Sequence, residues 1–104
     1  MIRLKDETVK VDGLKNVIKC KLLDLAGICK NIEGEKYIMT ITSGNEKTTK
    51  HIIGSKHYSG EAIDIRKLDM KNVKIVVEEI KDYLGRDYDV IEKKTHIHIE
   101  YDAK

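Results

Sequence analysis

The sequence predicts an α+β domain, a small antiparallel sheet carrying two main helices, and three observations lead there. Two stretches repeat apolar residues at three- and four-residue steps. Several short segments alternate apolar with polar residues and are rich in β-branched side chains. The chain closes on two such segments near enough to form a hairpin. At 104 residues there is room for one domain, and residues 1–104 are read as a single unit.

Ile2 to Lys5 reads as a short strand, and Asp12-Gly13 marks a turn. Leu14, Val17, Ile18, Leu22, Leu25 and Ile28 then share one helical stripe, which Asn31 and Gly34 bring to a stop. Tyr37 to Thr42 is a strand ended by Ser43-Gly44-Asn45, and residues 44–60 follow as a long loop, a feature that in a compact domain usually serves function. Glu61 to Arg66 alternates, with Ile63 and Ile65 toward the core and Ala62, Asp64 and Arg66 on the other face. Val73, Val76, Val77, Ile80 and Leu84 return to helical spacing, with Asp69 as the expected N-cap and Gly85 as the stop. Asp87 to Ile91 and Thr95 to Tyr101 read as the closing hairpin, where Ile97 and Ile99 face one way and His96, His98 and Glu100 the other.

Composition excludes some classes of function. Lys and Arg number 20 against 18 Asp and Glu, a net charge of +2, so no strong field draws the chain to nucleic acid or an anionic membrane. With no Phe or Trp, the core must be built from Ile, Val and Leu with some Tyr. Cys20 and Cys29 lie too far apart along one helix, about 13 Å, to form a disulfide, and are expected to be small buried apolar residues. The first sixteen residues lack the apolar run of a signal peptide, and no stretch is long and apolar enough to span a bilayer. The expectation is a cytoplasm-made monomer that would reach any outside target by another route.

The four histidines fall in two clusters, His51 with His57 and His96 with His98. On a strand, His96 and His98 project from one face about 6 to 7 Å apart, so both could approach one metal, or one could bind while the other assists catalysis. His57 ends the loop and Asp64 lies on the polar face of the next strand. A turn at Gly60 would bring the two together over a floor kept open by Ala62. A third ligand from the hairpin would complete a His, Asp, His set, which suits zinc and leaves a fourth position for water.

At Ser55, His57, Gly60, Ala62 and Asp64 the chain matches the pattern Ser-x-His-x-x-Gly-x-Ala-x-Asp, and His98-Ile-Glu100 follows after a helix. This pair of motifs resembles the zinc D-alanyl-D-alanine carboxypeptidases and the related L-alanyl-D-glutamate endopeptidases, including phage endolysins. Thr40 to Gly44 and His96 to Asp102 look like short phage or prophage members, and the resemblance covers roughly residues 14–104. It implies that His57, Asp64 and His98 hold zinc, that the fold is shared with Hedgehog signalling domains, and that the substrate is a peptidoglycan stem peptide. The carboxypeptidase is the first expectation, with the endopeptidase or a catalytically silent zinc-stabilised binding domain as alternatives.

Two departures from the family pattern bear on activity. Where many members carry a glutamate base three residues before the last ligand, this chain has Thr95, which leaves Glu92 or His96 to take the proton from water. Where members carry a carboxylate-binding arginine after Ser-Gly, it reads Asn45-Glu46-Lys47. Lys47, Lys50 or Arg66 would then meet the substrate, alongside Ser55, with His51 as a residue that could line the cleft and Glu100 as one that could orient a ligand imidazole.

Overall fold

The computed structural model describes residues 2–47 and 54–104. Five strands form one sheet: β1 (Ile2–Leu4), β2 (Met39–Ser43), β3 (Ala62–Arg66), β4 (Tyr88–Glu92) and β5 (His96–Tyr101), in the spatial order β1-β2-β3-β5-β4. Two main helices, α2 (Leu22–Glu33) and α3 (Val73–Leu84), and a single turn α1 (Asn16–Lys19) complete an α+β fold. The β2–β3, β3–β5 and β4–β5 pairs are antiparallel, but β1 runs parallel to β2 with Arg3 beside Thr40. The sheet is thus mixed, which corrects the all-antiparallel expectation. The passage from β1 to β2 runs through helices, and a crossover of that length lets a strand return in parallel.

Alternation places the core where the pattern predicts. Ile63 and Ile65 of β3 and Ile97 and Ile99 of β5 are fully buried, and Leu25, Cys29, Val76 and Ile80 from the two helices join the same cluster. Burying branched aliphatic side chains this completely is the main force holding helices to sheet. On the opposite face of β3, Ala62 and Asp64 are buried as well.

Two helix boundaries differ from the sequence reading. The expected single helix from Leu14 to Ile28 breaks between α1 and α2, because the Tyr88 hydroxyl donates to the Val17 carbonyl at 2.6 Å. The Lys21 amide, which would bond that carbonyl in a continuous helix, turns to Ile18 at 3.0 Å instead. The break leaves Cys20 exposed, contrary to expectation, while Cys29 is buried and both thiols are free. Nor does Asp69 cap α3, whose N-cap residue is Asn72. Asp69 accepts the Tyr37 hydroxyl at 2.9 Å, and the amides of Lys71 and Asn72 donate to the two oxygens of Glu33, at 2.8 and 2.7 Å. The end of α2 thus supplies the anion that the start of α3 requires. Among the described residues no helix is long and apolar enough to cross a membrane.

Candidate metal centre

The β3–β5 register sets Asp64 beside His98 and Arg66 beside His96, so one face of two neighbouring strands presents a carboxylate and two imidazoles together. His57 arrives from a tight turn. The Ser55 hydroxyl accepts the His57 amide at 3.1 Å, the Gly60 amide donates to the His57 carbonyl at 3.1 Å, and Gly60 adopts a φ of 77°. A side chain at Gly60 would be strained there and would meet the Gly13 carbonyl at 2.3 Å.

One nitrogen from each of His57 and His98 and one oxygen of Asp64 lie within 4.8 Å of one another. Asp64 Oδ1 is 3.3 Å from His57 Nε2 and 2.7 Å from His98 Nδ1, and the two rings meet edge to face with centroids 5.1 Å apart. Each remaining imidazole nitrogen has its own acceptor. His57 Nδ1 donates to the Gly44 carbonyl at 2.9 Å, and His98 Nε2 donates to Glu100 Oε1 at 2.8 Å. A carbonyl can only accept, so Nδ1 of His57 carries a proton, and Nε2 is the nitrogen that faces Asp64. In the metal-free state His98 Nδ1 donates to Asp64 Oδ1, and a cation that displaced this proton would meet one nitrogen of each ring and one carboxylate oxygen in a nearly buried space. Outer hydrogen bonds that fix tautomer and ring orientation are what metal-binding histidines typically have. His57, Asp64 and His98 can therefore hold a metal ion.

Electrostatics agree with this geometry. Burial alone would raise the Asp64 carboxyl, but the hydrogen bonds from His57 and His98 outweigh it and hold the group well below the usual carboxylate range. Burial would depress His98, yet its bonds to Asp64 and Glu100 raise it above an ordinary histidine. His96 moves the other way, because burial outweighs the attraction of Asp64.

The other residues singled out from sequence divide by position. His96 sits at the rim of the cluster, with Nε2 3.5 Å from Asp64 Oδ2 and Nδ1 3.0 Å from the Thr95 hydroxyl. Arg66 is on the same face, two residues beyond Asp64. Glu92 is not brought to the cluster. It stands in register with Ile97, so its side chain shares the helix-covered face, where it pairs with Lys67 at 2.8 Å and Lys74 at 3.3 Å. The hydrogen bonds from these two lysines depress its carboxyl. The register thus removes the geometric basis for Glu92 as a base. Ser55 braces the His57 turn from within. Lys47 is exposed beside the described edge of the loop, and Lys50 and His51 lie outside the described residues. A second acidic group, Asp89, Glu100 and Asp102, is answered by cations: Lys104 pairs with Asp89 and Asp102, and Glu100 pairs with His98.

Sequence reasoning missed the bracing of the centre. Asn45 and Glu46, read as a gap in a family pattern, clasp the N-terminal segment. Glu46 Oε1 accepts the amides of Lys10 at 3.1 Å and Gly44 at 2.8 Å, and its other oxygen accepts the Ser43 hydroxyl. Asn45 accepts the Gly13 amide at 3.0 Å and donates its own amide to Lys10 at 2.7 Å. The available signal was a turn-forming Ser-Gly-Asn followed by an acid able to collect backbone amides. Gly44 leaves no room for a side chain, since a Cβ there would lie 2.0 Å from the Lys10 carbonyl. Gly44→Ala should therefore cost about 2 kcal/mol of stability. It should also weaken metal binding about tenfold by shifting the carbonyl that orients His57. Denaturant midpoints and metal titration of the same variant would read the two effects.

Neither models of known protein families nor curated proteins give a match to this chain.

Proposed function

We propose that the chain is a zinc-dependent peptidase of the D-alanyl-D-alanine carboxypeptidase type, with a Hedgehog-like fold, acting on peptidoglycan stem peptides. The observation that carries this reading is the convergence of His57, Asp64 and His98, each oriented from outside by a neighbour or register partner, on one point of the sheet face. The motif spacing in Ser55 to Asp64 supports it independently. Zinc suits two imidazoles and one carboxylate, and when bound it supplies a Lewis acid that polarises a carbonyl and acidifies water.

The protein's own contribution is positional. Asp64 provides a single negative charge, so the centre stays net positive toward a substrate carbonyl. Gly44 and Glu100 hold the two imidazoles in the tautomers that ligation requires. His96, at the rim and depressed by burial, is neutral near pH 7 and placed to accept a proton from water over Asp64.

A silent zinc-stabilised binding domain is the second reading. The observation favouring it is that Glu92 faces away and Thr95 carries only a hydroxyl.

Metal content of protein purified without chelator, together with release of D-alanine or peptide from peptidoglycan by wild type and His96→Gln, tests the proposal. About one zinc per chain, with release that falls at least tenfold in the variant, is the expected result. Zinc without release would favour the binding domain, and absence of stoichiometric metal would sink both.

A further inference from the structure

We infer that the outer edge of β4 is a self-association surface, on which a second copy of this chain pairs its own β4 antiparallel and the two sheets become one. β4 closes one side of the sheet, since the spatial order ends β5-β4. Within this hairpin the Lys93 amide donates to the His96 carbonyl and the Asp102 amide to the Asp87 carbonyl, each at 2.7 Å. Odd-numbered residues thus turn their backbone groups toward β5, and by the alternation of an antiparallel ladder Val90 and Glu92 turn theirs outward. A groove of about 610 Å³ opens along this edge, lined by Lys81, Gly85 and Arg86 beside Val90 and Ile91, so no described helix or loop covers it.

An uncovered edge is normally blunted by a proline, a bulge or projecting lysines. β4 has neither a proline nor a register shift against β5, and it leaves Ile91 43% exposed. Because Ile91 is in register with His98, its side chain emerges on the metal-bearing face. Asp89 and Lys93 stand two residues to either side of it. The Lys93–His96 bond carries the ladder on by one pair, so all three side chains share that face.

The charges select a second copy as the occupant. A two-fold axis at Ile91 sets Ile91 against its own copy and Asp89 against Lys93 twice. It also sets Val90 against Glu92, whose outward amides and carbonyls then close ladder bonds in both directions. Asp89 belongs to an acidic group with Glu100 and Asp102 in which Lys104 answers two carboxylates at once. Lys93 is exposed and enters no ion pair among the described residues. Each copy thus offers the charge that the other lacks. Moving the axis to Val90 would keep the ladder but set Ile91 against Asp89, whereas facing branched aliphatics and opposite charges favour the Ile91 register. The two candidate metal centres would then face the same way on one continuous sheet, with their His98 Cα atoms three strand spacings, about 14 Å, apart. A dimer departs from the monomer expected from sequence, because only the strand order reveals which edge is free.

Analytical ultracentrifugation of the full chain tests this, with wild type, Lys93→Asp and Asp89→Lys each run alone and the two variants run in equal mixture, from about 10 µM to about 1 mM. Wild type should pass from one chain per particle to two as concentration rises. Each variant alone should associate at least about tenfold more weakly, because like charges then face each other twice. The mixture should recover association, since each variant supplies the charge that the other has lost. Circular dichroism checks that each variant is folded, and Lys93, fully on the surface, keeps the test open should Asp89→Lys disturb the Lys104 pairing. Wild type that stays monomeric throughout, a dimer indifferent to both substitutions, a mixture no tighter than its components, or growth beyond two chains would each overturn the proposal.

Discussion

An Asp64→Ala variant should lose its metal, with zinc affinity falling by more than about 100-fold, beyond the range expected for an outer hydrogen-bonding partner. Asp64 Oδ1 is the atom that both imidazoles approach, and Asp64 supplies the sole negative charge among the three candidate ligands. Its removal leaves two neutral nitrogens for a divalent ion, and any hydrolytic activity should vanish with the metal. The protein should still fold. The substitution deletes a carboxylate, and the hydrophobic cluster around Ile63, Ile97 and Val76 lies on the other face of the sheet. Equilibrium dialysis against zinc, with circular dichroism as a check on folding, measures both. Retention of full zinc affinity would show that the ion sits elsewhere.

The His98 contribution to thermal stability should fall with rising pH in the metal-free protein, and the gain from zinc should grow over the same range. In the metal-free state His98 is raised by its bonds to Asp64 and Glu100. Its contribution is therefore complete below the unfolded value of about 6.5 and is lost as pH rises through the higher folded value. Asp64 is depressed. Its contribution is present above the unfolded value of about 3.9 and is lost as pH falls below that toward the folded value. The contributions of Asp64 and His98 are thus complete together only between about pH 4 and 6.5, and that of His98 declines on the alkaline side, while the depressed His96 opposes it with a penalty that disappears as pH rises to about 6.5. Zinc requires deprotonated nitrogens, so at fixed free zinc the gain in midpoint should grow across the range where the His98 contribution declines. At about 100 times Kd that gain is about 2.7 kcal/mol. Scanning calorimetry with chelator and with buffered zinc reads both slopes. Parallel slopes would exclude His98 as a ligand.

The candidate ligands were legible because their relation is local or set by strand parity. His57 and Asp64 are joined by a short turn that Gly60 makes feasible, and His98 shares its face with His96 and Glu100 by simple alternation. What remained illegible depends on distant partners. The break after α1 is set by a hydroxyl 71 residues away, and the environment of Arg3 by a threonine 37 residues away. Glu92 shows how a register decides a role. In the sequence it stands close ahead of His96, yet the pairing of Glu92 with Ile97 turns it to the far side of the sheet. Parity within one strand does not carry across a hairpin unless the pairing is known.

The clasp of Lys10 and Gly13 by Asn45 and Glu46 gives the candidate ligands and their stiffness separate origins in the chain. Grafting residues 55–66 and 96–101 onto another sheet would transplant all three candidate ligands but leave behind the Gly44 carbonyl and the ledge that holds it. His57 would then be free to rotate, and much of the binding energy would be spent on fixing it. To transplant the centre intact, residues 10–13 and 43–46 must travel with it.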